Sequence, residues 1–167
     1  MRNASYRPYR LLGCRLLAAV CLLAAGIAQA QPAVSGGQTL YLPVYSHVYH
    51  GDTDAKGVPQ RTLVSALVSI RNTDLTRSIR VTSAVYYDTN GKKLREYLPK
   101  PVIVAPMGTH EIFVPRSESA GGSGANFVIV WQSDEPANAP VVEALHLNLP
   151  TGRAIAFMTT ARPIATR

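Results

Sequence analysis

Two histidines and a carboxylate fall within six residues, in Tyr45-Ser46-His47-Val48-Tyr49-His50-Gly51-Asp52. Imidazole and carboxylate are good ligands for zinc or copper, so His47, His50 and Asp52 form a candidate metal site. The spacing sets a condition on it. In a continuing strand, side chains three apart point to opposite faces, so His47 and His50 share an ion only if the strand ends near Val48 and Gly51 turns the chain back. A further ligand would come from His110 or His146 on a distant strand. With opposed histidines and no cysteine nearby, the expectation is a protein that requires no metal or other cofactor.

Other constellations fall short of catalysis. Gly121-Gly122-Ser123-Gly124 could cradle a phosphate through its amides, but the Lys-Ser/Thr of a P-loop is missing and no helical pattern follows. A Ser-His-Asp hydrolase needs a G-x-S-x-G elbow between strand and helix, which the chain lacks. Asp134-Glu135 lies near Trp131, but adjacent acids in a strand diverge and cannot share acid and base work. Trp131 falls in phase with Phe127 and Ile129 and reads as core. The chain is therefore expected to be no enzyme. What remains is Tyr41, Tyr45, His47 and Tyr49, alternating with Leu40, Leu42, Val44 and Val48. If the aliphatic set fills the core, the aromatic set faces out as a partner-binding stripe. Pro43 cannot donate to a ladder and places this strand at a sheet edge, where a partner could add a strand.

The elements that must carry these residues are organised around Arg61 to Asp88. Val64, Ala66, Val68 and Ile70 alternate with polar neighbours, and Ile79, Val81, Val85 and Tyr87 repeat the device. Their Val, Ile, Thr and Tyr content suits a pleated surface. Joined by the turn-forming Asn72-Thr73-Asp74, the two runs are expected to pair as antiparallel strands. Asn90-Gly91 predicts a type I′ hairpin leading into Leu94 to Leu98. Strands are expected at Val102 to Val104, Thr109 to Val114, Phe127 to Trp131, Val141 to Leu149 and Ala154 to Thr159. Phe127 to Trp131, apolar on both faces, should be central. Val142 and Ala144 run out of phase with Leu145 and Leu147, which predicts a bulge. His50 to Gln60, Ser117 to Asn126 and Ser133 to Pro140 read as loops. Seven to nine short, mainly antiparallel strands predict an all-β fold, a single Ig-like β-sandwich.

Arg2, Arg7, Arg10 and Arg15 precede a charge-free apolar run from Leu16 to Ala28, followed by Ala28-Gln29-Ala30. This is the pattern of a secretory signal peptide cleaved after Ala30, and the run is too short to span a membrane. The expected organisation is a signal peptide over 1–30, a flexible lead over 31–38, a β-sandwich domain over 39–160 and a tail over 161–167. Cys14 and Cys21 both lie within the leader, so the exported chain has no disulfide and no stable membrane insertion is expected. Leu11-Leu12-Gly13-Cys14 resembles a lipid-attachment site, but its apolar run follows the cysteine. Removing four arginines takes the formal charge from +7 to +3. The densest remaining cluster, Lys92, Lys93, Arg95 and Lys100, lacks the interleaved aromatics of a nucleic-acid site and reads as a solvated hairpin rim.

LYLPVYSHVYHGD at Leu40 to Asp52, VSIRNTD at Val68 to Asp74, VTSAVYYDTNGKKLREYL at Val81 to Leu98 and GGSGANFVIVWQSDEP at Gly121 to Pro136 resemble a family of small exported bacterial proteins described as a domain of unknown function. The resemblance covers most of Gln38 to Thr160 and implies one exported β domain, without activity, ligand or catalytic residues to carry over. The expected function is an exported binding module of the bacterial envelope, periplasmic or secreted, whose partner is a protein, peptide or envelope component. The alternative is a periplasmic zinc- or copper-binding protein using His47, His50 and Asp52.

Overall fold

Strand after strand obeys the period-two rule, and a computed structural model describing residues 34–165 shows an all-β chain with no helix among the described residues. The expected signal peptide and its cleavage point lie outside the described residues. The strands are β1 Ser35–Pro43, β2 His47–Thr53, β3 Pro59–Leu63, β4 Ser65–Arg71, β5 Ile79–Tyr87, β6 Lys93–Glu96, β7 Val102–Val104, β8 Thr109–Val114, β9 Asn126–Ala137, β10 Val141–Asn148, β11 Ile155–Thr160 and β12 Arg162–Ile164. They exceed the expected seven to nine. β1 starts inside the expected lead, β12 lies in the expected tail, β2 and β3 make a hairpin of the expected His50 to Gln60 loop, and β9 runs on through Asp134-Glu135.

The first sheet has the order β12-β1-β9-β5-β6, with β7 also on β5; the second has the order β11-β10-β4-β8; β2 and β3 form a separate ribbon. Every pairing is antiparallel. Leu40, Leu42, Phe127, Ile129 and Trp131 from the first sheet and Val68, Ile70, Ile112, Val142 and Ala144 from the second belong to one buried core. Burial of this kind, at about 25 cal/mol per Å² of apolar surface, is the main stabilising term for the described residues, which contain no cysteine. β9 is central, between β1 and β5, as its apolar run predicts.

The expected pairing of the two organising strands does not occur. β4 spends its two edges on β10 and β8, while β5 lies in the other sheet against β9, β6 and β7. Alternation sets which face of a strand is buried and says nothing of its neighbour. The Asn72 to Ser78 link is a crossing between sheets, tied by side chains. Buried Asn72 donates through Nδ2 to the carbonyls of Arg77, Val104 and Ala105 at 2.8, 3.1 and 3.0 Å. Asp74 accepts from the backbone N–H groups of Thr76, Arg77 and Asn138, which hold its carboxyl down at about 2.

β5 also changes phase. A register shift between Val81 and Ser83 turns Ala84 and Tyr86 inward and leaves Val85 and Tyr87 half-buried. On its other side β6 and β7 leave a gap, filled by the Glu96 carboxylate, which accepts from Ala84 N–H and Ser83 Oγ, both at 2.8 Å. At Asn90-Gly91 only Gly91 has positive φ, 79°. The turn therefore runs Asp88 to Gly91, with Gly91 N–H donating to the Asp88 carbonyl at 3.0 Å, and is not type I′.

β10 shows no register shift against β4 or β11, so the expected bulge is absent. Its alternation continues through Val142, Ala144 and His146, all buried, and puts Leu145 and Leu147 on the outside. The inward place that an aliphatic residue was expected to fill belongs to a histidine.

Candidate functional site

The Tyr41 to Tyr49 stripe is not one strand face. β1 ends at Pro43, β2 begins at His47, and the bend between them puts these residues in different surroundings. Nor is β1 an open edge along its length: β12 pairs Thr39 to Tyr41. Tyr41 lies on the outer face of the first sheet, with the Arg162 guanidinium 5.8 Å from its ring centre. Tyr45 is half-buried, edge-on to both His146 and Phe157. His47 is buried, and Tyr49 is 53 % exposed with its ring edge-on to His47.

The metal candidates are separated as well. Both ring nitrogens of buried His47 lack hydrogen-bond partners, and burial, then the Arg61 charge, lowers its pKa. His50 is exposed, with Nε2 2.8 Å from Thr62 Oγ1, and Asp52 is exposed further along β2. The strand continues past Val48, so Gly51, although at φ 65°, does not bring the set together. Among the described residues no three His, Cys, Asp or Glu side chains are grouped to hold a metal ion.

His146 is fully buried and stacks on Phe157 at 4.5 Å with 4° between the rings. Its Nε2 accepts from the Tyr45 backbone N–H at 3.1 Å, which assigns the remaining ring proton to Nδ1. Burial lowers its pKa to about 4, opposed in part by the carbonyls of Phe157 and Ala144. This imidazole is a neutral packing group closed to solvent.

The glycine loop is explained by close packing. Thr89 N–H donates to the Gly121 carbonyl at 2.9 Å, Gly124 N–H donates to Thr89 Oγ1 at 3.0 Å, and Ser46 N–H donates to the Gly122 carbonyl at 2.9 Å. A Cβ on Gly121 would run into the Tyr86 hydroxyl and lie 2.8 Å from Ser46 Oγ. Of the amides that could cradle a phosphate, that of Gly124 is already taken by Thr89 Oγ1. Asp134 and Glu135 spend their charge on Arg80 and Arg77, at 3.8 and 3.1 Å.

The surface that stands out lies elsewhere. In the second sheet Leu67 is opposite Phe113 on one side and Leu145 on the other, and Leu145 is opposite Met158. These four residues form one row across all four strands on the face turned away from the core. Phe113 and Met158 are 59 % and 56 % exposed, and exposed Val141 and Leu149 extend the same face along β10. Leu147 adjoins the row, with Arg116 beside it, Phe113, Leu149 and Ser65 around a shallow depression of about 310 Å³. Glu111, Ser69 and Glu143 lie one level to the other side. A smaller apolar tip, Leu75 with Met107, sits on separate turns, where Met107 takes φ 58°.

A family model, Protein of unknown function (DUF3124), matches residues 37–164. The chain belongs to this family. The DUF3124 match spans all of the core strands, the glycine loop and the apolar row. Among curated proteins no match is found. A crystal structure of Thermotoga maritima 1070 is similar at 12 % identity, covering 77 % of this chain and 95 % of that one, with a TM-score of 0.41.

The row in this DUF3124 domain went unread in the sequence because its strands are apolar at consecutive positions. In Ala66-Leu67-Val68, Ile112-Phe113-Val114 and Ala144-Leu145 an apolar residue stands on each face, so alternation alone does not say which face is covered. The available signal was size. In β10 the inner positions hold Ala144 and His146 while the outer ones hold leucines, which marks an apolar face beyond what the core uses.

Proposed function

We propose that this protein is an exported, non-enzymatic, Ig-like β-sandwich that works as an interaction module in the bacterial envelope by burying the outer face of its second sheet against a folded protein. The observation that carries this is the row Phe113, Leu67, Leu145 and Met158, continuous across four strands and open to water at both ends. Contiguous exposed apolar surface marks interaction sites. A flat sheet face suits a folded surface better than an extended peptide, and the acids Glu111 and Glu143 beside it disfavour anionic lipid. The expected cleavage after Ala30 supports a periplasmic or secreted location. The metal-binding alternative has less support, since His47 lies inside and His50 outside.

Photo-crosslinking in living cells tests this reading. A crosslinking residue at position 113 or 158 should give discrete adducts in the envelope fraction, and one at the still more exposed Leu75 should not. Absence of adducts at both face positions, or identical adducts at all three, overturns it.

A further inference from the structure

We infer that the occupant of this face is a second copy of the chain, packed face to face about a two-fold axis lying along the row. The inference rests on the reading above, that the outer face of the second sheet binds protein. An isologous contact needs a self-complementary patch, because each subunit offers the same surface. An axis along Phe113, Leu67, Leu145 and Met158 lays each of the four on its own mate, apolar on apolar. The same rotation keeps each strand over itself and exchanges the levels on the two sides of the row.

The charges fit this exchange. Glu111 lies on β8 one level above the row, opposite Ser69, while Arg116 follows the other end of β8 and lies beside Phe113 and Leu147. Rotation therefore carries Glu111 to the level of Pro115 of the partner subunit, beside Arg116 of the partner subunit, and the contact occurs twice. Ser69 meets the level of Ser65, and Thr160 that of Ala156. Glu143 comes over Leu147 but keeps Arg71 at 4.0 Å as its own counter-charge. A shift of one level along the strands would lose the mated row and set the charges out of step.

Size predicts a weak dimer. Strands spaced about 4.8 Å apart and rising about 3.3 Å per residue give a four-stranded face on the order of 400 Å² in plan. Stable complexes bury about 800 Å² per partner, so association in the micromolar range is expected.

Analytical ultracentrifugation of the exported protein, from about 1 µM to 1 mM, tests the inference across that range. The wild type should pass from monomer to dimer, and Met158→Asp should weaken association by more than about tenfold, a loss of about 1.4 kcal/mol, without changing the melting temperature. Persistence of the dimer in this variant would show that the subunits meet elsewhere, as through the β8 edge of this sheet, and overturn the inference. Glu111→Arg and Arg116→Glu should each weaken the dimer by about tenfold, while the double reversal should restore it to within about threefold. Failure of the double variant to recover overturns the two-fold register. A wild type that stays monomeric throughout overturns the self-association. In that case adducts at position 113 or 158 with a different protein would leave the interaction module standing, and absence of adducts would remove both.

Discussion

The backbone N–H of Tyr45 donates to Nε2 of His146 at 3.1 Å, joining the bend between β1 and β2 to the interior of the second sheet across 101 positions of sequence. The acceptor exists only while the imidazole is neutral, so this link ties the fold to pH. His146 has a folded pKa of about 4 against an ordinary value of 6.5. The unfolded chain therefore binds the proton first as pH falls. Stability from this group is complete above about 6.5, is lost as pH falls through that window, and levels off below about 4. The loss is on the order of 3 kcal/mol, and buried His47, also lowered, acts in the same direction. Denaturant unfolding at pH 7.5, 5.5 and 4.5 should show the decline. A His146→Gln variant, which keeps an acceptor and does not titrate, should show a shallower one; an identical profile would place the acid sensitivity elsewhere.

Tyr45 and Tyr49 should part company on substitution. Tyr45 covers His146 and Phe157, whereas Tyr49 lies largely in solvent. Tyr45→Ser is expected to cost about 2–3 kcal/mol and to admit water to His146, while Tyr49→Ser should stay within about 0.5 kcal/mol of wild type. Equal effects in thermal unfolding would contradict the break between β1 and β2.

Trp131 is fully buried and its indole Nε1 has no hydrogen-bond partner. Trp131→Ala should cost about 3–5 kcal/mol, enough to unfold a marginal domain. Trp131→Phe gives up no hydrogen bond and should cost clearly less, about 1–2 kcal/mol for the smaller ring. Urea titrations of the two variants measure the difference, and a Trp131→Ala protein as stable as wild type would show that the ring is not core.

At Gly121 there is no room for a methyl group beside Tyr86 and Ser46. Gly121→Ala should destabilise by about 1–3 kcal/mol, and adding Tyr86→Phe, which removes the obstructing hydroxyl, should recover part of the loss. Strict additivity in the double-mutant cycle would argue against the contact.

Asn72 serves three carbonyls with one amide nitrogen. Asn72→Ala should cost about 1–3 kcal/mol by leaving buried acceptors unsatisfied. Hydrogen exchange should report the damage first in the Arg71 to Ser78 crossing; uniform loosening of both sheets would show that the crossing is not held locally.

The sequence by itself determined the all-β class, most of the core and the places of several turns, because these rest on neighbours in the chain. Val68, Ile70, Phe127, Ile129 and Trp131 are buried as their alternation requires, and the turn after Asp88 forms where Asn90-Gly91 stands. Only the tertiary structure decided that β4 and β5 belong to different sheets, that a bulge reverses the phase of β5, and that β10 turns His146 inward and its leucines out. Period two distinguishes two faces of a strand but not which faces the core when both are apolar, and it carries no record of the partner across the ladder. The paired histidines and the tyrosine stripe were legible as residue types, yet the stripe is broken by the bend after Pro43, and His47 and His50 stay apart because β2 runs on past Val48. The apolar row depended on registers among four strands drawn from residues 65 to 160, a relation that exists only once the sheet has formed.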